Sequence, residues 1–348
     1  MGQRVWRGGM IGAGAWSATQ LTAWSRVPNA RIVALADRHP DRRDPVVQQY
    51  GIPHAFDSAE AMLDRADLDF VDVCTRPYAH AALVRLAADR GLPVLCQKPF
   101  CATLEEARGA VDYAERARIR LMVNENFRWQ PWHRTAKALL AGGTLGRPFL
   151  AVLHLRRRLS LPHFDHDQRY FTEMPRLLLY EVGTHHLDVM RFLFGEPESV
   201  CARLHRVSPD LQGEDVQVIL LGYPDLTCLI YDSWASVPIP DLDRPPTPKA
   251  WVPRLLEIDA TEGTLSLRAD GSVHVYTDGG GRHWDAVEDG MPRAHAAAQQ
   301  HFIDCLESGA EFETSGRETL RTMALVYACY RSAAEGRVVS PAELLAAL

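Results

Sequence analysis

A glycine-rich turn between an apolar run and a helical one sets the strongest constraint on this chain. Val5 to Ile11 is apolar-edged, Gly12-Ala13-Gly14 comes next, and Ala15 to Arg26 has a helical pattern. A strand, a tight Gly-x-Gly turn and a helix start bring backbone N–H groups and the positive end of a helix together, which suits a pyrophosphate. Ser17 stands where the third glycine of G-x-G-x-x-G is usual. The turn alone is therefore an incomplete signature, and its meaning depends on the segments after it.

Those segments alternate repeatedly between strand and helix. Arg31 to Ala36 reads as a buried strand ending at Asp37, and Asp41 to Tyr50 as a helix stopped by Gly51. Ser58 caps a short helix to Leu63. Phe70 to Cys74, Pro93 to Cys96 and Ile119 to Val123 are further strands. His80 to Arg90 is a helix stopped by Gly91, and Thr103 with Glu106 forms a capping box for a helix to about Ala117. Such alternation predicts parallel pairing with right-handed crossovers, a doubly wound α/β sheet.

Such sheets bind ligands at the carboxyl ends of their strands. Those ends carry Gly12 and Gly14, then Asp37, then Thr75-Arg76-Pro77, then Gln97-Lys98-Pro99, then Asn124-Glu125-Asn126. Asp37 follows Gly14 at the interval where an acidic side chain takes both ribose hydroxyls of a dinucleotide, or else caps the next helix. Arg38 suits a 2′-phosphate, which Asp37 would repel, so NAD is favoured and NADP stays possible. Lys98 stands out because it ends a strand among residues with little polar surface.

The length of 348 residues exceeds one typical domain, so two are expected. The net charge of −6 argues against a nucleic-acid partner. No apolar run approaches the ~18 residues of a membrane span, and no signal peptide precedes the first strand. Seven scattered cysteines without C-x-x-C read as reduced thiols, so a cytoplasmic location is expected.

The glycine turn, Thr75-Arg76-Pro77-Tyr78-Ala79-His80, Gly91-Leu92-Pro93-Val94-Leu95-Cys96-Gln97-Lys98-Pro99 and Glu181-Val182-Gly183-Thr184-His185-His186-Leu187-Asp188 together resemble the glucose–fructose oxidoreductase / inositol dehydrogenase / rhizopine-catabolism (Gfo/Idh/MocA) family. The similarity runs through about residue 150, resumes near 176–200 and again from about 300 to 336. It implies a Rossmann domain over 1–123 and an α/β domain over 124–348 with a large open, mostly antiparallel sheet. It also implies that the final helices can pack back on the first domain. It implies NAD(P)-dependent redox chemistry on a ring hydroxyl of a sugar or cyclitol, and a homodimer or homotetramer through the second sheet. Two positions depart from the family: Gln97 where Glu is usual before Lys-Pro, and Glu181 where Asp is common before the catalytic histidine.

The second half reads consistently with this. Trp132 to Leu140 is helical, and strands are expected at Phe149–Arg157, Val200–Arg206, Val216–Gly222, Thr227–Trp234, Leu255–Asp259, Thr264–Leu267 and Val273–Tyr276. Phe302 to Glu307 and Leu320 to Ala334 are amphipathic helices. Pro238 to Pro253 is a proline-rich loop. The polar stretch Arg156 to Arg176 reads as a substrate lid. His163, Asp165, His166 and Asp167 within it lack the spacing of a metal site, and no metal is expected.

Glu181 and His185 are spaced i, i+4, so on a helix a carboxylate would orient an imidazole. His186 competes for the role, and the family pattern selects His185. The resulting set assigns catalysis to Lys98, His185 and Glu181. Nucleotide contacts are assigned to Gly12, Gly14, Ala15, Trp16, Asp37, Arg38, Thr75, Arg76, Pro77, His80, Gln97, Lys98 and Asn126, and substrate contacts to Lys98, Arg128, Arg156, His163, Arg169, Tyr170 and His185. The leading expectation is oxidation of a ring hydroxyl with hydride transfer to the nicotinamide. One alternative is a glycosidase or lyase working by transient oxidation and elimination. The other is a nucleotide-binding sensor without catalysis.

Overall fold

The computed structural model describes residues 4–159, 166–237, 239 and 254–347. The chain divides into two compact units, Met1–Asn126 with His295–Leu320 and Phe127–Ala294 with Arg321–Leu348.

The first unit is built on β1 (Trp6–Ile11), α1 (Ser17–Trp24), β2 (Ala30–Ala36), α2 (Pro40–Tyr50), β3 (His54–Phe56), α3 (Ala59–Arg65), β4 (Phe70–Val73), α4 (Pro77–Ala88), β5 (Val94–Cys96), α5 (Leu104–Arg116) and β6 (Leu121–Val123). All six strands pair in parallel in the order β3-β2-β1-β4-β5-β6. Near-continuous apolar strands suit a sheet covered on both faces, and β4 and β5 are buried at every position. Local signals set the helix starts. Ser58 Oγ accepts the amide of Ala61 at 3.1 Å, and Thr103 Oγ1 accepts that of Glu106 at 3.1 Å. Several ends differ from expectation by a residue or more, α1 and β6 by two at their starts, and two differences are larger. The helix expected from His80 starts at Pro77, because proline suits a first helical position. Strand β3 was not expected, since three residues show too little periodicity.

The second unit holds α6 (Pro131–Ala141), β7 (Pro148–Arg156), α7 (Thr184–Phe194), β8 (Ser199–His205), β9 (Val216–Gly222), β10 (Thr227–Ser233), β11 (Arg254–Ala260), β12 (Gly263–Leu267), β13 (Val273–Thr277) and β14 (Gly280–Trp284). These form an eight-stranded sheet in the order β14-β13-β12-β11-β7-β10-β9-β8. It is antiparallel except for the β7–β10 pair. Side chains alternate across it: Ile219 and Leu221 of β9 are buried, whereas Val218 and Leu220 are exposed. Strand β14 was not foreseen, because Gly280-Gly281-Arg282-His283-Trp284 lacks apolar alternation. Helices Gly290–Ser308, Gly316–Glu335 and Pro341–Ala346 come last, the first two longer than expected and the third unexpected. No helix among the described residues is long and apolar enough to cross a membrane.

One carboxyl lies inside the parallel sheet. Asp72 of β4 is fully buried, and Oδ2 accepts the Trp24 indole N–H at 2.7 Å. Burial raises its pKa to about 7, against the lowering effect of that one hydrogen bond. An unfolded aspartate loses its proton near pH 4. Between about pH 4 and 7 the folded state therefore binds the extra proton, and this group lowers stability as pH rises through that window. Asp72→Asn is expected to gain stability relative to the parent chain as pH climbs from about 4 to 8. Urea midpoints across that range measure it, and a pH-independent difference contradicts it.

Candidate active site

The glycine turn is held by the strand ends around it. Gly12 has φ +108°, and a Cβ there would stand 2.3 Å from the Cys74 carbonyl oxygen, so the position requires glycine. Its N–H donates to Ala36 O at 2.8 Å. Gly14 differs: a Cβ there would meet nothing within 4 Å. Its carbonyl accepts both the N–H and the hydroxyl of Ser17, at 2.9 and 2.7 Å. Ser17 thus takes the third-glycine place by tying the turn to the first residue of α1 while staying buried. Ala15 and Trp16 are exposed on the same turn.

Asp37 stands at the end of β2. Oδ2 accepts Ala13 N–H at 2.8 Å and Oδ1 accepts His39 N–H at 2.9 Å. It therefore caps the adjoining turn and braces the glycine loop at once. An ionised carboxylate has about four acceptor sites, so capacity for two hydroxyls is left. Arg38 is exposed, with Nε 3.1 Å from His39 Nε2. The open space at Gly14, the fixed carboxylate and the helix start at Ser17 fit a nicotinamide dinucleotide.

Thr75, Arg76 and Pro77 lie between β4 and the first turn of α4. His80, expected to touch the nucleotide, is engaged with main-chain carbonyls. Its ring is fully buried, with Nδ1 2.9 Å from Phe100 O and Nε2 3.0 Å from Thr75 O. It thereby joins the end of β4 to the loop that carries Lys98. Lys98 is half-buried just past β5, and its bond to Pro99 is cis. Gln97 beside it is buried, and its Nε2 has no hydrogen-bond partner among the described residues. Asn126 is buried and contacts His295, which sequence reasoning missed. His295 sits in a helix with no motif around it, so only the tertiary structure reveals it.

In the second unit, Glu181 lies in a π turn, Leu179–Gly183, and His185 in the first turn of α7. This corrects the expectation of a plain α-helical i, i+4 pair. A π turn adds a residue between successive hydrogen bonds and re-aims the helix beyond it. Its neighbours account for it. Glu214 Oε1 accepts the amides of Leu177 and Leu179 at 3.0 and 3.1 Å and the Tyr330 hydroxyl at 2.7 Å. A side chain on Gly183 would reach 2.8 Å from Leu179 Cδ1 and 2.9 Å from the Gln217 amide. The turn also rests on the apolar group Leu155, Leu177, Leu178, Leu211 and Trp234.

The two histidines diverge. His186 is fully buried, its Nδ1 2.8 Å from Asp232 Oδ2, and Gln217 Nε2 donates to that same oxygen. His185 instead stacks on Phe127, with ring centroids 3.7 Å apart and planes 7° from parallel. Arg128, expected to contact substrate, lies in a buried ion pair: Nε and an Nη donate to the two Asp188 oxygens at 2.7 and 2.8 Å. Thr322 donates to Asp188 Oδ1 at 2.8 Å. Arg156 ends β7, Arg169 is exposed, and Tyr170 is half-buried against Phe171. His163 lies outside the described residues, as does most of the proline-rich loop. Residues 166–173 form a 3₁₀ helix. No metal-binding cluster is present among the described residues.

A six-stranded parallel sheet with a glycine cradle and a strand-end carboxylate defines an NAD(P)-dependent oxidoreductase. Residues 6–125 match the model described as "Oxidoreductase family, NAD-binding Rossmann fold", and residues 133–266 that of the "GFO/IDH/MocA C-terminal domain". The chain belongs to the Gfo/Idh/MocA family. It is 38% identical to a D-apiose dehydrogenase of Paraburkholderia graminis, over 96% of this chain and 89% of that protein. It is 36% identical to a D-apiose dehydrogenase of Rhizobium rhizogenes, over 97% of this chain and 98% of that protein. A solved oxidoreductase from Agrobacterium radiobacter, in complex with NAD+, L-tartaric acid and magnesium, is similar with a TM-score of 0.89 at 36% identity. That match covers 97% of this chain and 99% of the other.

The two glycines are expected to behave oppositely. Gly12→Ala drives a methyl into the Cys74 carbonyl and lowers the melting temperature. Gly14→Val meets open space, so melting is near that of the parent, while NAD+ affinity falls at least about tenfold. Thermal denaturation and titration calorimetry on both variants check this; unchanged NAD+ binding by Gly14→Val contradicts the cradle.

Proposed function

We propose that the protein oxidises a ring hydroxyl of a small aldose, with D-apiose or a closely similar pentose as its substrate, using NAD+. The observation that carries the reading is the 36–38% identity to two D-apiose dehydrogenases over nearly the whole chain. The nicotinamide, when bound, supplies the hydride acceptor. His185 takes the hydroxyl proton, Glu181 favours the charged imidazole that results, and the Lys98 ammonium offsets the negative charge growing on the substrate oxygen. Arg156, Arg169 and Tyr170 are proposed to hydrogen-bond the remaining hydroxyls. Asp37, braced by two backbone amides, supports NAD over NADP because it repels a 2′-phosphate.

His185→Ala and Lys98→Ala are each expected to lower kcat roughly 10²- to 10⁴-fold, with NAD+ affinity nearly kept. Screening pentoses, hexoses and cyclitols with NAD+ and NADP+ at the nicotinamide absorbance tests the substrate class. Near-normal turnover in both variants, or product formed without net NADH, rejects the proposed chemistry. The second result indicates oxidation and then elimination.

The open face of the eight-stranded sheet supports self-association. Cys201, Leu220, Leu229 and Val152 are register partners and form one row across β8, β9, β10 and β7. Leu220 is 44% exposed there, and Val218 in the neighbouring row is 37% exposed. We propose that two copies cover these faces, as a homodimer or as half of a homotetramer. Leu220→Glu is expected to yield monomers in analytical ultracentrifugation. A parent chain that already sediments as a monomer contradicts the assembly. None of the seven cysteines forms a disulfide among the described residues, which supports a reducing, cytoplasmic setting.

A further inference from the structure

His295 lies in the part of helix Gly290–Ser308 that belongs to the first unit, and it is 3% exposed. Its Nε2 is 3.3 Å from Asn126 Nδ2. An amide nitrogen only donates, so Nε2 accepts and the ring proton sits on Nδ1. That Nδ1–H has no hydrogen-bond partner among the described residues. A buried donor left unmatched is costly and calls for an explanation. Burial, then the Lys98 charge, bring the His295 pKa down to about 4, so the ring stays neutral near pH 7. A neutral ring with one N–H is a fixed donor and a poor acid.

The surroundings indicate what it donates to. Trp16 of the glycine turn meets the ring edge-on, with centroids 5.7 Å apart and planes at 70°. Lys98 comes after β5 and Asn126 after β6, whereas Asp37 ends β2. In the sheet order β3-β2-β1-β4-β5-β6 these lie on opposite sides of β1. A dinucleotide crosses such a sheet at the point where strand order reverses. If Asp37 takes the adenosine ribose, the other half lies over β4 to β6, on the side of His295.

We infer that His295 is a nucleotide-positioning residue whose Nδ1–H donates to the nicotinamide-riboside half of the dinucleotide. The inference rests on the proposed use of NAD+. Calorimetry with the full chain, NAD+ and ADP tests it, because ADP has the adenosine and both phosphates but no nicotinamide riboside. His295→Leu keeps an apolar filling without the donor, and His295→Asn places an amide nitrogen near the place of Nδ1. His295→Leu is expected to weaken NAD+ binding about tenfold and ADP binding less than about twofold, with His295→Asn recovering part of the loss. Unchanged NAD+ affinity in His295→Leu overturns the inference. Equal losses for NAD+ and ADP also overturn it, since they mark a packing role against Trp16. Should His295→Leu not fold, His295→Phe, which also lacks the donor, takes its place under the same criteria: a loss confined to NAD+ supports the inference, and unchanged NAD+ affinity or equal losses refute it. A parent chain that binds neither nucleotide refutes the underlying use of NAD+, a result distinct from all of these.

Discussion

The close approach of two strand ends governs the nucleotide unit. The Cys74 carbonyl, at the end of β4, occupies the space that a side chain on residue 12 would need. Around that contact the strand ends are stitched together. Cys74 N–H donates to Ile11 O, Gly12 N–H to Ala36 O, and Ala13 N–H to the Asp37 carboxylate, each at 2.8 Å. The turn cannot drift without breaking several of these bonds. The turn and the start of α1 are therefore fixed before any ligand arrives, which lowers the ordering cost of binding.

The histidine-bearing unit relies on buried carboxylates instead. Asp188 of α7 sits between Arg128 and Thr322, with Arg191 3.8 Å away. Asp232 of β10 holds His186, and Glu214 gathers two amides and the Tyr330 hydroxyl before the π turn. Each carboxylate accepts more than one hydrogen bond, Asp232 through Oδ2 alone, which offsets much of the cost of its burial. Together they hold a helix that starts on an unusual turn, so His185 projects from a backbone with little freedom. His80 does a similar service in the other unit, its two ring nitrogens lying 2.9 and 3.0 Å from the main-chain carbonyls of Phe100 and Thr75 beside the lysine loop.

Much of this was legible in the chain itself. Strand and helix alternation, the glycine turn, Asp37 and the capping residues Ser58 and Thr103 are local signals, and local signals survive in one dimension. Boundaries at Pro77 and the short strands β3 and β14 were less legible, because few residues carry each of them. His295 gave no signal at all: Ala294-His295-Ala296 in a helix looks like any buried turn. The π turn was equally hidden. It depends on Glu214 and Gln217, more than thirty residues further along the chain.

The sequence by itself determined the class of fold, the kind of cofactor cradle and the family, since periodicity and short motifs are properties of neighbours along the chain. The opening turn shows the limit of that reading. Sequence identified Ser17 as a departure from the third glycine; only the folded backbone shows its hydroxyl closing the turn on Gly14 O. Likewise the sequence offered two adjacent histidines, and the tertiary structure separated them, burying His186 on Asp232 and stacking His185 on Phe127. Which side chain is tied down depends on partners distant in sequence, and those distances exist only once the chain has folded.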